Sequence, residues 1–198
     1  KDFFVSNEKI ALSRETEHNE QKILELSKPE SFSLYVGIPF CPSRCSYCSF
    51  VMASIERAEK LIEPYTKLLC EEIKRTAEIA NKLGLRLETV YFGGGTPTTL
   101  SAEQFDTVLG TVNKSFDMST CREFTVEAGR PDTIDIAKLF ALKENKVDRI
   151  SINPQTVNDE VLKTIGRKHT AQQFFDAFEL ARKCGFDNIN TDLRSEEH

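Results

Sequence analysis

The chain has 198 residues, with 26 basic against 31 acidic side chains for a formal net charge of -5, a hydrophobic fraction of 39% and a charged fraction of 29%. This length suffices to bury one full core, and the acidic balance argues against a nucleic-acid backbone as the main partner. No apolar run approaches the ~18 residues of a membrane-spanning helix and no charged-then-apolar leader opens the chain, so the expectation is a cytoplasmic protein with no membrane span.

Residues 6–28 read as an exposed or partly packed helix, capped by Ser6 and stopped by Pro29, in which Ile10, Leu12, Ile23, Leu24 and Leu26 are separated by charged side chains. Residues 32–38 read as a buried first strand. Directly after it, Cys41, Cys45 and Cys48 form a C-x3-C-x2-C cluster. Three thiolates on one short loop can hold a cubane iron–sulfur cluster by three of its irons and leave the fourth open. A structural zinc site wants four ligands, whereas the histidines are His18, His169 and His198, and a disulfide framework wants an even set in a small secreted chain. Cys70, Cys121 and Cys184 stand at unrelated spacings and read as buried or half-buried thiols.

Beyond the cysteines, residues 64–83 predict a helix with Tyr65, Leu68, Leu69, Ile73, Ala77 and Ala80 on its core face, Pro64 at its start and Gly84 as its stop. The next strand, over 87–92, runs into Gly93-Gly94-Gly95-Thr96, and a helix follows with a capping box at Ser101 and Gln104. Residues 123–128 form a third strand, Pro131 and Asp132 introduce a helix through Leu139 and Leu142, and 149–153 form a fourth strand. A short helix at 159–165 precedes a longer one from Thr170, again with a capping pair at Gln173, and 186–193 supply a fifth strand. Strand and helix alternate throughout, which predicts an α/β fold with parallel strands and helical crossovers. In a closed or partly closed barrel of this kind, ligands gather at the C-terminal ends of the strands. The cysteine loop, the glycine run, Glu127, Gln155 and Asp192 would then face one mouth.

These motifs carry a resemblance. The cysteine loop after strand one resembles that of the radical S-adenosylmethionine (SAM) superfamily. In consecutive order, Tyr35 to Cys41 (Tyr-Val-Gly-Ile-Pro-Phe-Cys), Phe92 to Pro97, Thr125 to Ala128, Ser151 to Thr156, Ile165 to His169 and Asn190 to Leu193 resemble the oxygen-independent coproporphyrinogen III oxidase group. That group includes haem chaperones sharing the barrel. Gly37 stands where many members carry histidine, and Phe50 is an aromatic shared by the chaperone and HemZ-like branches. Ala128-Gly129-Arg130-Pro131, where much of the group has Ala-Asn-Pro, together with Ser151 to Thr156 most resembles the HemZ-like branch, related to the HemN and HemW types.

The resemblance implies a partial (β/α)6 barrel holding a [4Fe-4S] cluster on Cys41, Cys45 and Cys48. It implies that Gly93, Gly94, Gly95 and Thr96 receive the methionyl amino group of SAM, with Glu127 as a further acceptor, and that Arg167 holds the methionyl carboxylate. Gln155 and Asp192 would bind the ribose hydroxyls, Phe50 would pack beside adenine, and Tyr35, near the sulfonium, is the candidate catalytic residue. The activity implied is that of an oxidoreductase converting propionates of coproporphyrinogen III to vinyls, a coproporphyrinogen III dehydrogenase-like step of haem biosynthesis fed by an electron donor such as a flavodoxin or ferredoxin. The alternative is haem delivery by a chaperone on the same barrel. We expect residues 1–31 as an N-terminal helical segment and 32–198 as the core. Because the chain opens at Lys1 and closes at His198 soon after its fifth strand, it reads as a fragment lacking the sixth strand and C-terminal domain, incompetent for full turnover in this form.

Overall fold

The computed structural model describes residues 5–50 and 52–194, so the expected outer limits at Lys1 and His198 lie outside the described residues. The chain divides into two units, Lys1–Ser31 and Phe32–His198. In the first, helix α1 (Asn7–Leu24) is capped by Ser6, whose hydroxyl accepts from the Lys9 N–H at 3.3 Å. None of its residues is buried, and its apolar side chains Leu12, Ile23 and Leu24 are exposed.

In chain order the strands are β1 (Ser31–Ile38), β2 (Phe40–Cys41), β3 (Ala53–Ser54), β4 (Arg86–Gly94), β5 (Glu123–Glu127), β6 (Arg149–Ser151) and β7 (Asn188–Asn190). The remaining helices are α2 (Ile55–Lys82), α3 (Ala102–Ser115), α4 (Ile136–Glu144), α5 (Asp159–Thr164) and α6 (Ala171–Lys183). Five strands form one sheet in the order β1-β4-β5-β6-β7, with parallel registers such as Val90↔Phe124, Val126↔Ile150 and Ile150↔Ile189. Strands covered on both faces read as continuous rather than alternating apolar runs, and Phe124, Thr125 and Val126 are all buried accordingly. This is the expected α/β alternation of a partial barrel. Both capping boxes form, at Ser101 with Gln104 and at Thr170 with Gln173.

Three expectations are corrected. Helix α2 begins nine residues before the Pro64 taken as its start, and Pro64 lies inside it. Proline removes one intrahelical donor, but Pro64 and Lys60, whose carbonyl loses that donor, both face water, where solvent can satisfy the freed group. Leu68, assigned to the core face, is 71% exposed, and the buried stripe instead passes through Ile62, Leu69, Cys70 and Ile73. The fifth strand is only three residues long, although an isolated parallel bridge joins Gln155 to Leu193 beyond it. No helix among the described residues is long and apolar enough to cross a membrane.

Phe92, fully buried in β4, packs against Phe124 with ring centroids 5.9 Å apart. Phe92→Ala is therefore expected to lower the unfolding free energy by about 3–5 kcal/mol, whereas the exposed Leu68→Ala should stay within about 0.5 kcal/mol. Urea denaturation followed by circular dichroism measures both, and equal losses would contradict this placement of the core.

Candidate functional site

The site is built around the segment between β2 and β3. These two strands pair in parallel, Phe40↔Ala53 and Cys41↔Ser54, and the Ala53 N–H donates to the Pro39 carbonyl at 2.8 Å, closing the cysteine loop at its base. On one flank the end of β4 donates into the loop: Gly95 N–H reaches the Ile38 carbonyl at 2.8 Å and Thr96 N–H the Phe40 carbonyl at 2.7 Å. A Cβ at Gly95 would stand 2.6 Å from the Phe40 carbonyl oxygen, so only glycine permits this approach. On the other flank Ser43 Oγ donates to the Gly166 carbonyl at 2.9 Å, and Ser46 N–H to the Ile165 carbonyl at 3.0 Å. Gly166 has φ +79°, and a Cβ there would meet the Arg44 carbonyl oxygen at 2.9 Å.

Within this frame Cys41, Cys45 and Cys48 line one cavity of about 210 Å³. Gly94, Gly95, Thr96, Glu127, Gln155, Arg167 and Asp192 line it too, as does the largely exposed Phe50. Tyr35 and Gly93 are not in that lining. Tyr35 is 60% exposed and stacks on Tyr91 at 6.0 Å and 11° between planes. Gly93 packs beneath, where a Cβ would lie 3.2 Å from the Tyr35 hydroxyl and 3.3 Å from the Glu127 carboxyl carbon.

The charged groups divide the cavity. Burial pushes the Glu127 carboxyl above the usual carboxylate range, with Asp192 adding to the effect, while a hydrogen bond from the Tyr91 hydroxyl at 2.5 Å opposes it. Arg167 donates from Nη1 to the carbonyls of Gly129 at 3.0 Å and Asn153 at 2.8 Å, and its buried Nε has no hydrogen-bond partner among the described residues. Burial raises the Cys41 thiol, against which work the Thr96 hydroxyl at 3.3 Å and the Arg130 charge. Gln155 holds a left-handed backbone at φ +67°, a costly conformation for a side-chain-bearing residue. It is fixed by its N–H to the Asp192 carbonyl at 3.2 Å, by the Arg194 N–H at 2.7 Å and by the Tyr47 hydroxyl, which donates to Oε1 at 3.1 Å.

Ser43, Tyr47, Met52, Gly129, Arg130 and Asn153 also line the cavity, and sequence reasoning singled out none of them as site residues. Asn153 ties two of the expected site residues together: its carbonyl receives Arg167 at 2.8 Å, and its Oδ1 receives the Asp192 N–H at 3.1 Å. It lies two residues before Gln155 in the Ser151 to Thr156 motif, and the signal that could have found it is that shared motif. His169 is 2% exposed and makes no well-formed hydrogen bond from either ring nitrogen among the described residues. Burial, with the Arg167 charge second, lowers its pKa to about 4, so it is neutral at pH 7.

This donor set fits a thiolate-held cluster with an organic zwitterion beside it. Among the described residues no group of three or more His, Cys, Asp or Glu is arranged to hold a single metal ion, and a cubane makes no such demand because each thiolate takes a separate iron. The unpartnered Arg167 Nε is a buried donor still owed an acceptor.

Comparison with known proteins points the same way. The model of the radical SAM superfamily, whose cofactors are a [4Fe-4S] cluster and SAM, matches residues 35–194. The oxygen-independent coproporphyrinogen-III oxidase-like protein HemZ of Bacillus subtilis is 40% identical over 196 residues, covering 98% of this chain and 39% of that protein. The haem chaperone HemW of Lactococcus lactis is 41% identical over 169 residues, covering 85% of this chain and 41% of its own length. The solved coproporphyrinogen III oxidase HemN of Escherichia coli superposes with a TM-score of 0.73 at 29% identity, covering 87% of this chain and 40% of that one. The chain thus spans about two-fifths of the length of the relatives it matches.

The raised Glu127 pKa has a measurable consequence. The folded state holds the Glu127 proton more tightly than the unfolded chain, so the ionised carboxylate opposes folding above its raised pKa, and the penalty vanishes as pH falls through that pKa to below the ordinary 4.5. Glu127→Gln should therefore be more stable than the parent at pH 7, with the difference closing toward pH 4. Thermal melts of the cluster-free protein across this range check it, and a variant less stable at pH 7 would contradict the assignment.

Proposed function

The chain belongs to the radical SAM superfamily, and from that premise we propose that its cavity binds a [4Fe-4S] cluster on Cys41, Cys45 and Cys48, with SAM beside it, in an enzyme of the oxygen-independent coproporphyrinogen III oxidase type. The observation that carries this reading is the meeting of three thiols, two carboxylates and an under-bonded guanidinium on one cavity. The cluster supplies, when bound, the one electron that cleaves SAM and starts hydrogen abstraction from a propionate side chain. Everything else falls to the chain's own residues.

Glu127 accepts from the methionyl ammonium, beside the backbone of Gly93, Gly94, Gly95 and Thr96. Arg167 offers its free Nε to the methionyl carboxylate while Nη1 stays on two carbonyls, which fixes the fork before ligand arrives. Gln155 and Asp192 accept from the ribose hydroxyls, linked to each other by a main-chain hydrogen bond. Phe50 covers adenine at the open mouth, and Tyr35 is assigned to the sulfonium side. The residues from 32 onward act as the catalytic core and residues 1–31 as a helical segment ahead of it. A flavodoxin or ferredoxin supplies the electron and a porphyrinogen is the substrate. All six cysteines are free thiols, which suits the reducing cytoplasm.

A second reading, haem delivery, is favoured by the 41% identity to the Lactococcus chaperone. The full-length protein, incubated anaerobically with coproporphyrinogen III, SAM and dithionite, should yield the divinyl product and carbon dioxide. Stable haem binding without decarboxylation would instead support the chaperone reading. Arg167→Ala and Asp192→Ala should each weaken SAM binding about tenfold or more, the loss of one charge-assisted hydrogen bond, while leaving the cluster absorbance intact. Unchanged SAM affinity in both would overturn these two assignments.

A further inference from the structure

Arg130 is 2% exposed, yet it carries a guanidinium that does not lose its proton. Its neutralising partner is Asp132, whose Oδ1 receives Nε at 3.3 Å, and this contact occupies only one edge of the fork. The other two nitrogens reach the cysteine loop. Nη2 donates to Ser43 Oγ at 3.0 Å, and Nη1 lies 3.8 Å from Cys45 Sγ and 3.5 Å from the Ser43 carbonyl oxygen. Ser43 in turn donates to the Gly166 carbonyl, so the guanidinium is braced against the far flank of the loop as well. Asp132 also faces His169, with Nδ1 3.8 Å away, and that ring adds no charge at pH 7.

A buried charge is retained at a cost unless something uses it, and a hydrophobic residue of similar size would pack here without that cost. Its two terminal nitrogens face the thiol side of the cavity. We infer that Arg130 is a positioning residue of the cysteine loop whose fixed positive charge, set against Cys45, makes a cluster held there easier to reduce. The inference rests on the reading that the loop holds a cluster. Adding one electron makes the cluster more negative, and a permanent cation in a low-dielectric wall favours the reduced form more than the oxidised one. Lysine would keep the charge without the fork, and glutamine would keep polarity without the charge.

The experiment compares parent, Arg130→Lys, Arg130→Gln and Ser43→Ala after anaerobic reconstitution, with iron and sulfide assayed per chain and the loaded cluster titrated by EPR against a fixed series of potentials. Arg130→Gln should lower the ratio of reduced to oxidised cluster at a given potential at least about tenfold, which for one electron is a midpoint ~59 mV more negative. Arg130→Lys and Ser43→Ala should stay within about threefold of the parent. Should Arg130→Gln fail to fold, the pair Arg130→Gln/Asp132→Asn, which removes both charges of the ion pair, should shift in the same direction by less. A merely structural arginine would lower cluster content in the lysine and glutamine variants alike and leave the midpoint of the loaded fraction where it is in the parent. That result, in whichever charge-removed variant folds, overturns the inference. A parent that takes up no iron and sulfide at all would instead overturn the cluster reading on which it rests.

Discussion

Close backbone contact at Gly95 and Gly166 is the constraint on which the site depends. A loop bearing three cysteines has no regular structure to hold its thiols apart at a fixed spacing, and ordering each of its residues costs about 1–2 kcal/mol of backbone entropy. The chain offsets that cost by docking the loop onto two glycines, one at the end of β4 and one in the turn after α5. The glycine run therefore has a role its sequence alone did not announce. Gly94 and Gly95 face the backbone leading into the cysteines as well as the cavity, so the same short segment sets the position of the loop and forms a wall of the ligand space.

Strain and unmet polarity meet on this cavity. A left-handed Gln155, a Glu127 with a raised pKa and an Arg167 with an idle donor all line it, while the sheet behind is filled by Phe92, Phe124, Val126 and Ile150 without exposure. This division is what a binding site on a rigid scaffold requires. The apolar layer fixes the strand ends, and the strand ends hold polar groups in costly, under-bonded arrangements. Main-chain bonds between Gln155, Asp192 and Arg194 extend the pairing past β7, so both proposed ribose ligands share one local register.

What was legible in the sequence was local. Capping boxes at Ser101 and Thr170, the cysteine spacing and the strand–helix alternation each depend on residues a few positions apart. The early start of α2 was missed because proline is a good first residue of a helix and an uncommon interior one, and only the exposure of that face makes it tolerable. The two-residue strands β2 and β3 are too short to carry a period, and their pairing is decided by the loop they close. Arg130 read as a departure from a motif because its partners on the cysteine loop lie 85 and 87 residues away. The burial of His169 depends on the packing of other loops around it, which no neighbouring residue signals.

The separation of 123 residues between Ser43 and Gly166 also orders events in time. At about 5–20 residues per second, translation places roughly 6–25 s between the emergence of one half of this clamp and the other. During that interval the three cysteines lack their final support. The cysteine loop is thus synthesised well before its second flank exists, so delivery of iron and sulfur during synthesis would have to reckon with a nest still missing a wall.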